Sequence, residues 1–224
     1  LMLTLLCIIK FLNLYTYKLK LILRQIMQYF IGNWKMFGVP KSVNILGKIN
    51  SFHLKDKNRK KYRVMITPPY TLIENFAKFF NKKKISIGSQ NCYQKDQFSS
   101  NTAAISPYML KNVGAKFTLI GHSDNRGEGD TDAMLKDKVK YALKNNLKIV
   151  FCIGENKSEK KRKQTFNVLK SQLTKVLEKK LKKENIIVAY EPIWSIGTGK
   201  LPTAKELKRT TIHIKKVLKN IFKK

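Results

Sequence analysis

The sequence predicts an α/β chain built on a parallel sheet. Three observations carry this. Six short, near-continuous apolar runs rich in β-prone residues recur along the chain, helical patterns separate them, and capping residues stand where the helices should start. Strands covered on both faces lose the polar alternation of half-exposed ones. Strict strand–helix alternation then calls for parallel pairing with right-handed crossovers. An open doubly wound sheet and a closed barrel both satisfy this pattern.

The runs are YFIG (29–32), RVMIT (63–67), ISIG (85–88), FTLIG (117–121), KIVFC (148–152) and IIVAY (186–190). Ser106-Pro107 puts a capping residue before a proline at the first helical position. Asp130 or Thr131 can cap TDAMLKDKVKYALKNN. Thr203 and Glu206 form a T-x-x-E capping box ahead of a long run. Within that run Leu207, Ile214, Leu218 and Ile221 share one helical face. A dinucleotide-binding sheet needs GxGxxG after its first strand, but GNWKMFG stands there. A P-loop also fails: Gly199-Lys200 is followed by Leu201, and Trp194 occupies the place of the leading Gly.

Composition sets the outer limits. The 224 residues are 43% hydrophobic, enough for one sizeable domain, and Gly and Pro are too few for disorder. Cys7, Cys92 and Cys152 are far apart and odd in number, without metal-ligand spacing. Reduced thiols and a cytoplasmic location are expected, with no metal and no cofactor. The formal charge of +32 raises the question of a nucleic-acid or anionic-membrane partner. Of the 46 basic residues only six are Arg, the residue whose planar fork reads phosphates and bases. KDKNRKKYR (55–63) and KSEKKRK (157–163) hold a single aromatic residue, Tyr62, between them. Solvated faces are the simpler reading, with no nucleic-acid or membrane partner expected, although a basic surface still attracts a small anion.

Residues 1–26 stand apart. LMLTLLCII is an apolar run of nine followed by Lys10, with no basic residue before it and no small-residue cleavage site after it. It is too short for a membrane span and lacks the charge order of a signal peptide. The chain starts at Leu1, and Met27 directly precedes the first predicted strand. Residues 1–26 are therefore expected to lie outside the domain, which spans 27–224; an amphipathic or membrane-associating arm is the alternative.

In parallel α/β folds the chemistry gathers at the carboxyl ends of the strands. Those ends deliver Asn33 and Lys35, then Ser89-Gln90-Asn91, then His122 and Ser123, then Glu191. Each has an ordinary explanation alone: a solvated Lys, a turn His, an ion-paired Glu. Together on one face they offer a carboxylate base, a neutral hydrogen-bond donor and a cation, the set needed to abstract a proton beside a carbonyl.

GNWKM (32–36), SQNCY (89–93), ISPYMLKNVGA (105–115), LIGHSDNR (119–126), CIGE (152–155) and AYEPIWSIGTGK (189–200) occur in the order and spacing of the triosephosphate isomerase family, which this sequence resembles from about Tyr29 onward. The resemblance implies a TIM (β/α)8 barrel and a phosphorylated triose as substrate. It implies Glu191 as the base, His122 as the neutral electrophile and Lys35 as the cation beside the enediolate and phosphate. Asn33 would orient the same oxygen, the Gly197 amide would reach the phosphate, and Ser123 and Asp124 would support the site. Pro192 and Trp194 would form the stiff side of a lid whose Gly197 and Gly199 allow movement. Thr102 resembles the residue that reaches into a neighbouring subunit, implying a homodimer.

The sequence departs from the family at several points. Asp124 replaces the usual Glu, one methylene longer, which alters its reach to Lys35. Asn125 stands where Arg is usual and Ala104 where an acidic residue is common. The family pattern also continues for two more βα units whose glycine-rich loops bind phosphate. A barrel truncated after six units is expected to leave its first and sixth strands with unpaired edges. Such a fragment is expected to be inactive, aggregation-prone or rescued by association. The competing function is a basic nucleic-acid or membrane-surface binder on a degenerate barrel. Another phosphate-binding barrel enzyme is disfavoured by the joint presence of Lys35, His122 and Glu191.

Overall fold

The computed structural model describes residues 4–5, 7–9, 27–80 and 85–223, and the rest of the 1–26 extension lies outside the described residues. Two N-terminal runs, β1 (Thr4–Leu5) and β2 (Cys7–Ile9), precede the six strands read from the sequence. These are β3 (Gln28–Asn33), β4 (Tyr62–Thr67), β5 (Ile85–Ile87), β6 (Phe117–Ile120), β7 (Lys148–Ile153) and β8 (Ile186–Tyr190). The main helices between them are α1 (Val43–Lys55), α2 (Tyr70–Phe80), α3 (Pro107–Asn112), α5 (Asp132–Lys144), α7 (Thr165–Val176) and α8 (Ala204–Ile221), with short α4 (Ser123–Gly127) and α6 (Lys157–Lys161) opening two loops.

Strands β3, β4 and β5 pair in parallel, as do β6, β7 and β8. A parallel bridge from Ser89 to Thr118 joins the two groups, with the Ser89 N–H donating to Phe117 O at 3.0 Å. The expected free edges are not free. Thr4–Leu5 pairs antiparallel with β3, and Cys7–Ile9 pairs antiparallel with β8. An unpaired strand edge is a row of unsatisfied N–H and C=O groups, and a β-prone run on the same chain can satisfy them.

Alternation along each strand divides the core in two. Ile31, Met65, Phe117, Leu119, Val150, Cys152, Ile187 and Ala189 pack together inside the curl of strands. Their neighbours, including Ile66, Ile120, Phe151 and Val188, pack outward against Leu135, Val139, Leu169, Leu173 and Ile214 of the helices. A period of two puts alternate residues on opposite faces, so a strand covered on both faces must be apolar throughout.

The helices begin where the sequence marks them. Ser106 Oγ accepts from the Met109 N–H and Thr131 Oγ1 from the Met134 N–H, each at 3.2 Å. Asp130 is then available to clamp Lys138 Nζ at 2.6 and 2.7 Å, where Asn91 Oδ1 also accepts from it at 3.1 Å. This cation and carboxylate are both buried, so removing either partner alone would strand a charge in the interior.

At the start of α8, Thr203 and Glu206 form the full capping box, and Lys160 Nζ reaches Glu206 Oε1 at 2.5 Å. The Lys160 contact first, then the Thr203 backbone and hydroxyl, hold the Glu206 carboxyl down at about 2, against an ordinary value of 4.5. A depressed carboxylate stabilises the fold fully above its ordinary value and loses that effect as pH falls toward its folded value. The excess thermal stability of the wild-type chain over Glu206→Ala is therefore expected to be constant above pH 4.5 and to shrink between 4.5 and about 2 in melting curves. A pH-independent difference would contradict this account of the α8 start.

Candidate active site

All six barrel strands run the same way, so their carboxyl ends open on one face. Inward alternation continues from Ile31 to Asn33 on β3 and from Ile187 and Ala189 to Glu191 beyond β8. Two glycines shape the approach. Gly121, with φ of 76°, turns the chain between β6 and His122, and a side chain there would meet Arg126. A Cβ at Gly154 would fall 1.9 Å from Glu191 O, so β7 can run beside the Glu191 backbone only with glycine there.

The structure brings four side chains into one line of contacts. Lys35 Nζ lies 3.1 Å from Asp124 Oδ2, that oxygen lies 3.6 Å from His122 Nδ1, and His122 Nε2 lies 3.3 Å from Glu191 Oε2. His122 and Glu191 are 3% and 8% exposed. The shorter Asp124 still reaches Lys35. That pair is open to solvent, with side chains 27% and 55% exposed, so it contributes at most about 1 kcal/mol to stability and acts chiefly by orienting Lys35.

The N–H of Asp124 donates to His122 Nδ1 at 3.2 Å. Nδ1 is then the acceptor nitrogen of a neutral ring, and the ring proton resides on Nε2. His122 also stands at the amino end of α4. His122 Nε2 and Glu191 Oε1 are buried and find no hydrogen-bond partner among the described residues. The 3.3 Å approach of Nε2 to Glu191 Oε2 is close without being aligned as a hydrogen bond. A buried donor and a buried acceptor side by side suit a small polar molecule that uses both.

Lys35 adopts a left-handed backbone with φ of 50°, a conformation costing a long side chain on the order of 1–3 kcal/mol. Its N–H donates to Asn33 Oδ1 at 3.0 Å, and its carbonyl accepts from Gln90 Nε2 at 2.7 Å. Gln90 Nε2 also donates to Thr67 O at 3.0 Å, fastening the Lys35 turn to β4. Ser123 opens α4 with its hydroxyl buried and unpaired among the described residues. Gly197 and Thr102 are both exposed, in the loops after β8 and β5, and neither takes part in this line of contacts.

The loop after β8 is anchored by a residue for which the sequence suggested no role. Glu155 is fully buried; it accepts from Tyr190 Oη at 3.1 Å and from Trp194 Nε1 at 2.8 Å, while the Ile193 N–H donates to Glu155 O at 3.0 Å. Burial, then the Glu155 charge, push the Tyr190 hydroxyl well above its ordinary range, so it stays a donor. CIGE carried the signal as a carboxylate just past a strand, but nothing local names its partners. Arg126 likewise has no role that the sequence suggests: its Nε donates to Gly121 O at 2.9 Å and its guanidinium lies over the Phe151 ring at 5.7 Å. Burial pushes the Cys92 thiol up to about 12 and also raises Cys152, which leaves both as inert packing groups. No cluster of ligating side chains suited to a metal ion occurs among the described residues. No described helix is long and apolar enough to cross a membrane.

Known proteins match this arrangement. The family model for triosephosphate isomerase matches residues 28–224. A triosephosphate isomerase of Yarrowia lipolytica is 35% identical over 195 residues, covering 86% of this chain and 77% of that protein. One from Saccharomyces cerevisiae is 34% identical, covering 85% of this chain and 76% of its own. The crystal structure of triosephosphate isomerase from Bartonella henselae superposes with a TM-score of 0.77 at 30% identity, covering 88% of this chain and 77% of that one. The alternative of a nucleic-acid or membrane-surface binder finds no support in these matches. With its parallel strands in the TIM-barrel arrangement, the chain belongs to the triosephosphate isomerase family.

Proposed function

We propose that this chain interconverts dihydroxyacetone phosphate and glyceraldehyde 3-phosphate by proton transfer through an enediolate, with Glu191 as the base. The observation that carries the reading is the line of contacts from Lys35 through Asp124 and His122 to Glu191. Glu191 takes the proton from one substrate carbon and returns it to the next. The Nε2–H of His122 donates to the substrate oxygens as charge develops on them, and a neutral donor of this kind is worth about 10²–10³ in rate. Lys35 offsets the negative charge of the enediolate and the phosphate. Asn33, which already fixes the Lys35 backbone, orients the same oxygen.

The loop after β8 serves as the lid. Its near end is held by Glu155 through Tyr190 and Trp194, and its exposed far end carries the Gly197 amide to the phosphate when it closes. Closure excludes the water that would weaken every charge interaction in the site. The reaction is placed in the cytoplasm, where a reducing environment suits the unpaired Cys92 and Cys152.

The active form is a homodimer. Met36 is 93% exposed and Phe98 76%, with Phe37 and Val39 also open to water, on the loops that follow β3 and lead to Thr102. Large apolar side chains gathered on two neighbouring site loops are the mark of a covered surface. Sedimentation of the wild-type chain should give a dimer, and Met36→Glu with Phe98→Glu should shift it to monomer; a wild-type chain monomeric at all concentrations would refute the dimer.

Glu191→Gln keeps the shape and removes the base. A positioned base is worth about 10²–10⁴ in rate, so kcat should fall by that factor while KM stays within about threefold. A variant with near-normal kcat would defeat the assignment.

A further inference from the structure

The loop after β8 is gripped at both ends by one side chain, Lys160 of α6. At the near end, Lys160 Nζ lies over the Trp194 ring, 5.0 Å from its centroid. At the far end, the same Nζ donates to Glu206 Oε1 at 2.5 Å, and Glu206 closes the capping box with Thr203. The turn that carries Lys160 is itself fixed, because Asn156 and Glu159 form a capping box at the start of α6. Between its ends the loop is knit together. Thr198 Oγ1 shares its proton between Trp194 O and Ser195 O, at 3.2 and 3.1 Å, and accepts from the Lys200 N–H at 3.2 Å. Residues 197–201 are exposed.

We propose that Lys160 is a positioning residue that couples the two ends of this loop, so that they shift as one body. A cation is drawn to the face of an indole, and the same cation pairs with a carboxylate, so each contact orients the side chain for the other. Both contacts hang on one ammonium group, and loosening one end therefore loosens the other. The Lys160 and Glu206 side chains are 34% and 41% exposed, so the pair adds little to overall stability and its effect is local. The stretch after β7 holds Trp194 twice, by its Nε1 through Glu155 and by its ring through Lys160. Only the second hold extends to the far end of the loop.

For a lid this coupling has a consequence. Two ends that move independently lose more conformational freedom on closing than two that move together. That the coupled body is the lid over the phosphate rests on the function proposed above; the coupling itself does not.

Amide hydrogen exchange on the intact, substrate-free chain, read by mass spectrometry, tests the coupling without reference to activity. Lys160→Met keeps most of the side chain and removes its charge. Glu206→Gln keeps the capping box, in which Gln also serves, and removes the ion pair. Each is expected to speed exchange at least about threefold both in a peptide covering 193–197 and in one covering 203–207. The double variant should do no more than the stronger single one, because the two changes break one unit. Lys160→Arg should stay close to the unsubstituted chain, and a peptide from α5 should not change in any variant. Glu206→Gln that loosens only 203–207 would overturn the proposal, and so would Lys160→Met that leaves 193–197 as it was. In turnover, Lys160→Met should raise KM about threefold to tenfold with kcat less affected, and Lys160→Arg should keep both. An unchanged KM would overturn the link to the lid. Exchange needs no turnover, so an unsubstituted chain without isomerase activity would count against the proposed reaction and not against the coupling.

Discussion

The hydrogen bond from the Asp124 N–H to His122 Nδ1 is the contact on which the carboxyl face depends. It assigns the ring proton to Nε2, and so turns His122 into a donor aimed beside Glu191. The same short stretch places the Asp124 carboxylate against Lys35. One turn, entered through Gly121 and continued as α4, therefore orients the imidazole and positions the ammonium, while Glu191 arrives from the end of β8, two strands along the same sheet. None of the three is strongly held by its pair contacts. The Lys35–Asp124 pair is too exposed for that, and the backbone around each residue does the positioning.

That backbone is held at three other points. Gln90 bridges the Lys35 turn to β4, Arg126 braces the Gly121 turn over Phe151, and Glu155 fixes the root of the loop after Glu191. Each is a polar group in contact with backbone or with another buried polar group, where a lost partner leaves an unsatisfied charge or dipole costing about 1–3 kcal/mol. The barrel converts these local ties into a shared geometry. Its parallel strands aim all carboxyl ends at one face, where the cation follows β3 and the base follows β8.

Much of this was legible in the sequence, for local reasons. The strand read at 186–190 is β8 itself, and that read at 29–32 differs from β3 by one residue at each end. Ser106, Thr131 and Thr203 cap as their spacing suggests, because a cap and its amide lie within one turn. Asp130 was an equal candidate for the second cap, and only a contact eight residues along, to Lys138, assigns it elsewhere. What stayed hidden involves distant partners. Glu155 to Trp194 spans 39 residues and Gln90 to Lys35 spans 55, and neither pairing leaves a local mark. The expected open edges failed for the same reason: an apolar run at the chain start carries no sign of the strand it joins.

His122 sits between Asp124 and Glu191 with its proton on Nε2. Nitrogen-15 NMR of the three imidazole rings at neutral pH tests this directly, with His122→Asn used to assign the signal. An unprotonated Nδ1 and a protonated Nε2 are expected for His122. A ring with its proton on Nδ1, or a charged ring with protons on both nitrogens, would contradict it.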